Sequence, residues 1–393
     1  MSRTFLKTAL VAGVLAGFLG SAQAQNTAQF AGVQPSVLHD FRVVTVAEGL
    51  EVPWSMAWLP NGDMLVTEAK AGRLRVIRDG ALLPEPISGI PEVYSMGQGG
   101  LFDVLPHPDF ANNQLLYLSY SKPLGGRDST TVVIRGRLAN GALNDVEEIF
   151  VANAAGASHF GGRMAFDADG YLFLTLGDRQ APPSGDLENH PAQDLSNHHG
   201  VIVRLNDDGS VPSDNPYVGQ SGVEPAIYSY GHRSPQGFAI HPDTGVILMT
   251  EHGPQGGDEL NIVKPATNYG WPVVGHGVNY GPGAPIHQSK TLEGMEDPIH
   301  YWVPSIATSG LAIYTGSRFP MWHGSVFVGG LAGQQLARLT LTEDGSDVIT
   351  EETLLPGIGR VRDVRQGPDG LIYVAIEDRS RQPTAILRLE PAQ

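Results

Sequence analysis

Cysteine is absent from the 393 residues, which excludes disulfide frameworks, thiolate zinc sites and thiol nucleophiles. Basic residues are scarce: 25 Lys and Arg stand against 41 Asp and Glu, a formal net charge of −16. Nucleic acid is therefore not an expected partner, because phosphate binding needs a basic face. Any local cluster of arginines stands out as a candidate site. Long apolar runs are lacking too. The run from Ala9 to Leu19 falls short of the roughly 20 residues a membrane-spanning helix needs, so no membrane insertion is expected. With Arg3 and Lys7 before it and Ala22-Gln23-Ala24 after it, the run reads as a secretory signal over residues 1–24. Residues 25–393 are then expected as a single exported domain, soluble and periplasmic.

What the chain has in quantity is glycine (49) and proline (29), which implies many tight turns and many short strands. A turn followed by a short apolar strand recurs six times. Pro60-Asn61-Gly62-Asp63 precedes Met64 to Thr67, and His107-Pro108-Asp109 precedes Leu115 to Tyr120. Asp167-Ala168-Asp169-Gly170 precedes Tyr171 to Leu176, and His241-Pro242-Asp243-Thr244-Gly245 precedes Val246 to Thr250. Trp322-His323-Gly324 precedes Ser325 to Val328, and Pro368-Asp369-Gly370 precedes Leu371 to Ile376. A period of roughly 60 residues holds four strands of ordinary length with their loops. Radial repetition of four-stranded sheets suits that period, so the chain is expected to be all-β, a six-bladed β-propeller. Two stacked sandwiches fit less well, because nothing resembling a linker divides the chain. The widest intervals, between the third and fifth copies, should carry the longest loops, where function concentrates.

Four segments could carry chemistry. His159 lies in Ser158-His159-Phe160-Gly161-Gly162-Arg163, among residues small enough to let a ligand approach, and histidine suits general-base work near neutral pH. Tyr230-Gly231-His232-Arg233-Ser234 is followed by Glu251-His252-Gly253-Pro254-Gln255-Gly256-Gly257-Asp258-Glu259-Leu260-Asn261. Its oxygen donors and inward-turning carbonyls resemble a hard-cation site, with calcium favoured, although a solvated glycine-rich hairpin accounts for the same pattern. No HExxH spacing supports zinc. Arg360 and Arg362 share a face if their segment is extended, forming a fork for a multi-carboxylate or ion pairs with Asp363 or Glu377. Gln98 sits between glycines as a turn filler or a ligand contact. His107 and His241 belong to the repeated turns and are read as structural.

In order, the segments GLEVPWSMAWLPNG, GQGGLFDVLPHPDF, HFGGRMAFDADG, YGHRSPQG, TEHGPQGGDELN, NYGWP and GRVRDV resemble the soluble, pyrroloquinoline-quinone-dependent aldose sugar dehydrogenases of the glucose/sorbosone dehydrogenase family. The resemblance runs from about Gly49 to Leu389 and implies a six-bladed propeller with the quinone on its top face. It implies oxidation of an aldose at the anomeric carbon to a lactone, with an external electron acceptor. His159 would be the base, and Arg233 would stabilise charge on the quinone carbonyl oxygen. A cofactor-bound Ca2+ would rest on the carbonyls of Gly253 and Pro254, and a second calcium near Glu259 and Tyr269. Gln98, Arg360 and Arg362 would hold the cofactor's carboxylates, with Ser234, Tyr280, Leu331, Ala332 and Gly333 lining the pocket. Two positions depart from the pattern. Ser234 stands where the family commonly has Asn, and Gly330-Leu331-Ala332-Gly333 occupies a stretch where the glucose-oxidising branch has a lysine. A calcium-dependent lactonase and a catalytically silent binding propeller are the alternative readings. The protein is expected as a monomer or homodimer.

Overall fold

The computed structural model describes residues 29–392; the expected signal segment, 1–24, lies outside them. Six antiparallel sheets succeed one another along the chain. The first holds Pro53–Trp58, Met64–Glu68, Arg73–Arg78 and Ala81–Leu82; the second holds Leu101–Pro106, Leu115–Gly125, Asp128–Ala139 and Ala142–Val151. The third is Met164–Phe166, Leu172–Leu176, Val201–Leu205 and Ile227–Tyr230, extended by a parallel pairing to Thr267–Asn268. The fourth is Pro235–Ile240, Ile247–Glu251, Asp258–Val263 and His300–Trp302, and the fifth Thr308–Ile313, Val326–Gly330, Gln335–Leu341 and Val348–Leu354. The sixth joins the two ends of the described chain: Arg360–Gln366, Ile372–Glu377 and Thr384–Pro391 are completed by Phe41–Leu50, in register from Phe41 opposite Pro391 to Leu50 opposite Thr384. The first strand of every sheet packs on that of the next, and the sixth returns to the first. The architecture is the expected six-bladed propeller.

Each repeated turn leads into the second strand of a blade. These strands run between a neighbour on either side within the sheet and a sheet on either face. Met64–Glu68, Leu172–Leu176, Ile247–Glu251, Val326–Gly330 and Ile372–Glu377 are accordingly buried along their whole length. The preceding glycines, Gly62, Gly170, Gly245, Gly324 and Gly370, have φ between 72° and 90°, the conformation that makes glycine the default there. The second copy has no glycine and turns instead through a short helix, Phe110–Asn113, ending at Gln114 with φ 56°. His107 and His241 accept their own turns' backbone N–H groups from Asp109 (3.0 Å) and Asp243 (3.2 Å), as the structural reading required.

The central channel is not empty. Arg163 lies 2.9 Å from Asp363 and 3.8 Å from Asp103, and Arg365 reaches the same two carboxylates at 3.1 and 3.0 Å. Arg163 also donates to the carbonyls of Trp54, Gln236 and Arg362 and stacks 4.0 Å over the Trp54 ring. Two cations and two anions thus close the channel beneath one face, and on that face lies the main cavity.

Candidate active site

The cavity has a volume of about 1190 Å³. Most of its walls come from two kinds of segment: the residues just past the second strand of a blade, and those leading into the first strand of the next. Lys70, Gln180, His252, Leu331 and Asp378 are of the first kind; Gln98, His159, Arg233 and Arg360 are of the second. Loops at one end of the ring therefore gather distant sequence positions into one site.

His159 has φ 43°, a left-handed conformation that costs a non-glycine residue on the order of 1 kcal/mol. Its surroundings hold it there. Its N–H donates to Gln98 Oε1 at 2.8 Å, and its carbonyl accepts from the buried guanidinium of Arg179 at 2.8 Å. Gly177 runs so close that a Cβ there would lie 2.3 Å from the same carbonyl. The ring's Nδ1 lies 2.6 Å from Asp178 Oδ1. Asp178 is buried, which pushes its carboxyl up, but the His159 contact, the Arg233 charge and the N–H of Gln180 outweigh burial and hold it below the usual range. An ionised carboxylate only accepts, so Nδ1 carries the proton and Nε2 is left for a substrate hydroxyl.

A second histidine, His252, lines the cavity, but its Nε2 lies 2.5 Å from the Thr308 carbonyl. Burial, with Arg233 and Arg362 nearby, pulls it down to about 3. It stays neutral and donates to the backbone, which makes it a poor base.

Within Tyr230-Gly231-His232-Arg233 the two chemical side chains diverge. His232 faces inward, between Glu251 (3.0 Å) and Ser229 (2.9 Å). Arg233 lines the cavity, donating to the carbonyls of His252 (3.0 Å) and Gly253 (2.7 Å), while its Nε is buried without a partner. The Trp271 ring lies 5.2 Å below its guanidinium, and the same indole donates to Asp178 Oδ2 at 2.8 Å. One tryptophan thus braces both the histidine's carboxylate and the arginine.

Arg360 and Arg362 share a face as their spacing required, and the ion-pair reading of the pair is met by Glu377. Glu377 clamps them, Oε1 to Arg360 Nε (2.8 Å) and Oε2 to Arg362 Nε (2.7 Å), and both guanidinium groups still line the cavity. With Lys70, Arg233, Arg379 and Arg381 they put six cations against Glu377 and Asp378, in a chain of net charge −16.

Of the other sequence candidates, Ser234, Pro254, Leu331 and Ala332 line the cavity, and Tyr280 sits at its rim, 63% exposed. Gly333 is not among the lining residues. Its N–H, like that of Ala332, is tied to the Ile306 carbonyl at 2.9 Å. Gly253, Glu259 and Tyr269 line a second, smaller chamber of about 20 Å³, which shares Arg233, His252 and Pro254 with the main cavity. Burial, then the nearby Glu251, pushes Glu259 up. Tyr269 spends its hydroxyl on the Ile262 carbonyl (2.6 Å), leaving only its backbone oxygen as a ligand. Asp258, one of the oxygen donors read as a cation ligand, is consumed within the fold: it accepts from Gly253 N–H, Ser305 Oγ and Thr308 N–H. Among the described residues no three His, Asp or Glu side chains converge as a metal site, so a cation here would rest largely on backbone carbonyls.

Sequence reasoning missed Asp178, Trp271 and Lys70. Burial, then the charges of Arg381 and Arg362, pull Lys70 down to about 8.

The family described as glucose/sorbosone dehydrogenase matches residues 50–388. The aldose sugar dehydrogenase of Escherichia coli is 38% identical over 356 residues, covering 89% of this chain and 92% of the relative. A crystal structure described as a glucose dehydrogenase superposes with a TM-score of 0.83 at 44% identity, covering 89% of this chain and 99% of the other. The PQQ-bound aldose sugar dehydrogenase of Streptomyces coelicolor gives 0.72 at 28% identity, covering 91% and 99%.

Proposed function

We propose, for a chain that belongs to the glucose/sorbosone dehydrogenase family, that it oxidises aldoses at the anomeric carbon to lactones. Pyrroloquinoline quinone would be the hydride acceptor, and the electrons would leave to an external acceptor. The observation that carries this reading is the convergence of a carboxylate-backed histidine and an arginine-rich wall in one cavity. The cofactor's carboxylates suit that wall: Arg360 and Arg362 offer charge-assisted donors in a fixed fork, and the Gln98 amide faces the same space. The unpartnered Nε of Arg233 is a donor in want of an acceptor, as a quinone oxygen would be. When bound, the quinone supplies an electrophilic centre that takes up the hydride.

His159 Nε2 takes the proton of the anomeric hydroxyl as the C1–H hydride departs, so the cyclic hemiacetal loses two electrons and two protons and its C1–OH becomes the lactone carbonyl. Asp178 keeps the imidazole in the tautomer that leaves Nε2 free and stabilises the imidazolium once the proton arrives. Arg233 is fixed before reaction by two carbonyls and the Trp271 face, so it opposes developing negative charge without reorganising. Calcium is proposed at the carbonyls of Gly253 and Pro254, and a second ion at Glu259 and the Tyr269 carbonyl. The Gly253 oxygen already accepts from Arg233, leaving one lone pair for an ion. Bound calcium would act as a Lewis acid. The reaction is proposed for the periplasm, following the signal read in residues 1–24. Among the described residues no helix is long and apolar enough to cross a membrane.

The test is titration of the metal-stripped apo-protein with the quinone, with and without calcium, following dye reduction by a panel of aldoses. Saturable, calcium-dependent turnover near one equivalent is the expected result. Lactone hydrolysis that needs no quinone, or a quinone that does not bind, would overturn the proposal.

A further inference from the structure

Lys70 follows the second strand of the first blade, and all three donors of its ammonium go to backbone carbonyls. Its Nζ donates to the carbonyls of Ser95 (3.3 Å), Gly97 (2.8 Å) and Gly99 (2.5 Å). Three carbonyls on one ammonium bend the 95–99 segment into a tight turn, closed again by Gly99 N–H to the Met96 carbonyl at 2.8 Å. The turn rests on the segment leading to the catalytic histidine: Gly97 has φ 53°, and a Cβ there would lie 2.8 Å from the Ala157 carbonyl. At its tip Gln98 Oε1 accepts the His159 N–H at 2.8 Å. His159 is left-handed, so this bond restrains a backbone that would otherwise relax.

We propose that Lys70 is a positioning residue for the base: its ammonium fixes the 95–99 turn, the turn fixes the Gln98 side chain, and Gln98 fixes the His159 backbone. The role rests on the reading of His159 as base. A compact ammonium with three rotatable donors fits three converging carbonyls. Methionine fills similar space and offers none. Lys70 itself need not touch cofactor or substrate, which separates it from Arg360 and Arg362.

Two measurements test the chain of contacts. The first is hydrogen exchange by mass spectrometry on the cofactor-free protein, reading the peptide that contains His159 in wild type, K70M and Q98A. Exchange of that peptide should rise in both variants, and to a similar rate. The second is a double-mutant cycle in kcat on the reconstituted enzyme. K70M should lower kcat about 10-fold in the wild-type background and less than about 2-fold in the Q98A background, because contacts in one chain are not additive. Should K70M not fold, K70R carries the same pair of measurements: its planar fork cannot reproduce three point contacts. Wild-type exchange at His159, or kcat effects that multiply, would overturn the proposal. Full activity in H159A would remove the base assignment, while the exchange result still decides whether Lys70 orders the turn.

Discussion

His159 Nδ1 and Asp178 Oδ1 lie 2.6 Å apart, and the other oxygen of that carboxylate takes the Trp271 indole N–H at 2.8 Å. The carboxylate is thereby fixed in plane and cannot turn away from the imidazole. Asp178→Asn keeps the shape and removes the charge that sets the tautomer. It should lower kcat on the order of 100-fold, and His159→Ala by about 100- to 10,000-fold, the usual range for a general base. Quinone affinity, read by fluorescence titration, should change little in either. Equal losses in affinity and kcat would move His159 from chemistry to cofactor binding.

Glu377 is the only carboxylate bonded to both Arg360 and Arg362 among the described residues. Burial pushes it up, but the charges of Arg362 and Arg360 hold it below the usual glutamate range. A depressed carboxyl contributes stability above its unfolded value, about 4.3, and loses it as the pH falls toward the folded value. Glu377→Gln should therefore melt several degrees below wild type at pH 7, and the gap should narrow as the pH falls below the unfolded value, about 4.3. The quinone should raise the melting temperature of E377Q more than that of wild type, because its carboxylates would then relieve two unpaired guanidinium groups. A smaller rise would contradict a polyanion at this fork.

Calcium should stabilise the folded protein through the chamber around Glu259. A ligand at 100 times its dissociation constant adds about 2.7 kcal/mol, which for a domain of this size is a shift of a few degrees. Scanning calorimetry of the stripped protein should show that rise in wild type and not in Glu259→Gln. An unchanged melting temperature on chelation would remove the structural ion.

The blades were legible because each repeats one local rule, a tight turn followed by a strand buried on both faces, and local rules survive translation into sequence. His159, Arg233 and the Arg360/Arg362 pair were legible through ordered motifs. Lys70 and Asp178 belong to no motif. Each stands two residues past a repeated strand, ending at Glu68 and Leu176, and that position brings its loop to the cavity's end of the ring. The repeat itself held the signal. Side-chain direction was not legible: Asp258, read among cation donors, turns to Gly253 and to the segment leading into the fifth blade, and Glu259 next to it turns into the chamber. Trp271 could not be placed, because bracing Asp178 and Arg233 depends on how a loop after the fourth blade's third strand folds back.

The buried quartet in the channel gives the last prediction. Arg163 is 2% exposed as a side chain, and burial pulls it down to about 10 against the attraction of Asp363 and Asp103. Replacing it with methionine leaves two buried carboxylates sharing Arg365 alone. Breaking one member of a buried ionic set costs about 3–5 kcal/mol, because the surviving charge is unpaired, whereas removing the pair together costs far less. Arg163→Met should accordingly lower the melting temperature by roughly 5 °C. Adding Asp363→Asn, which takes away one of the stranded charges, should recover part of that loss. The Trp54 and Arg362 carbonyls that accept from Arg163 belong to residues lining the cavity, so quinone affinity should fall in R163M as well. If the double variant instead melts at the sum of the two single losses, the four groups act independently, and the channel is closed by packing alone.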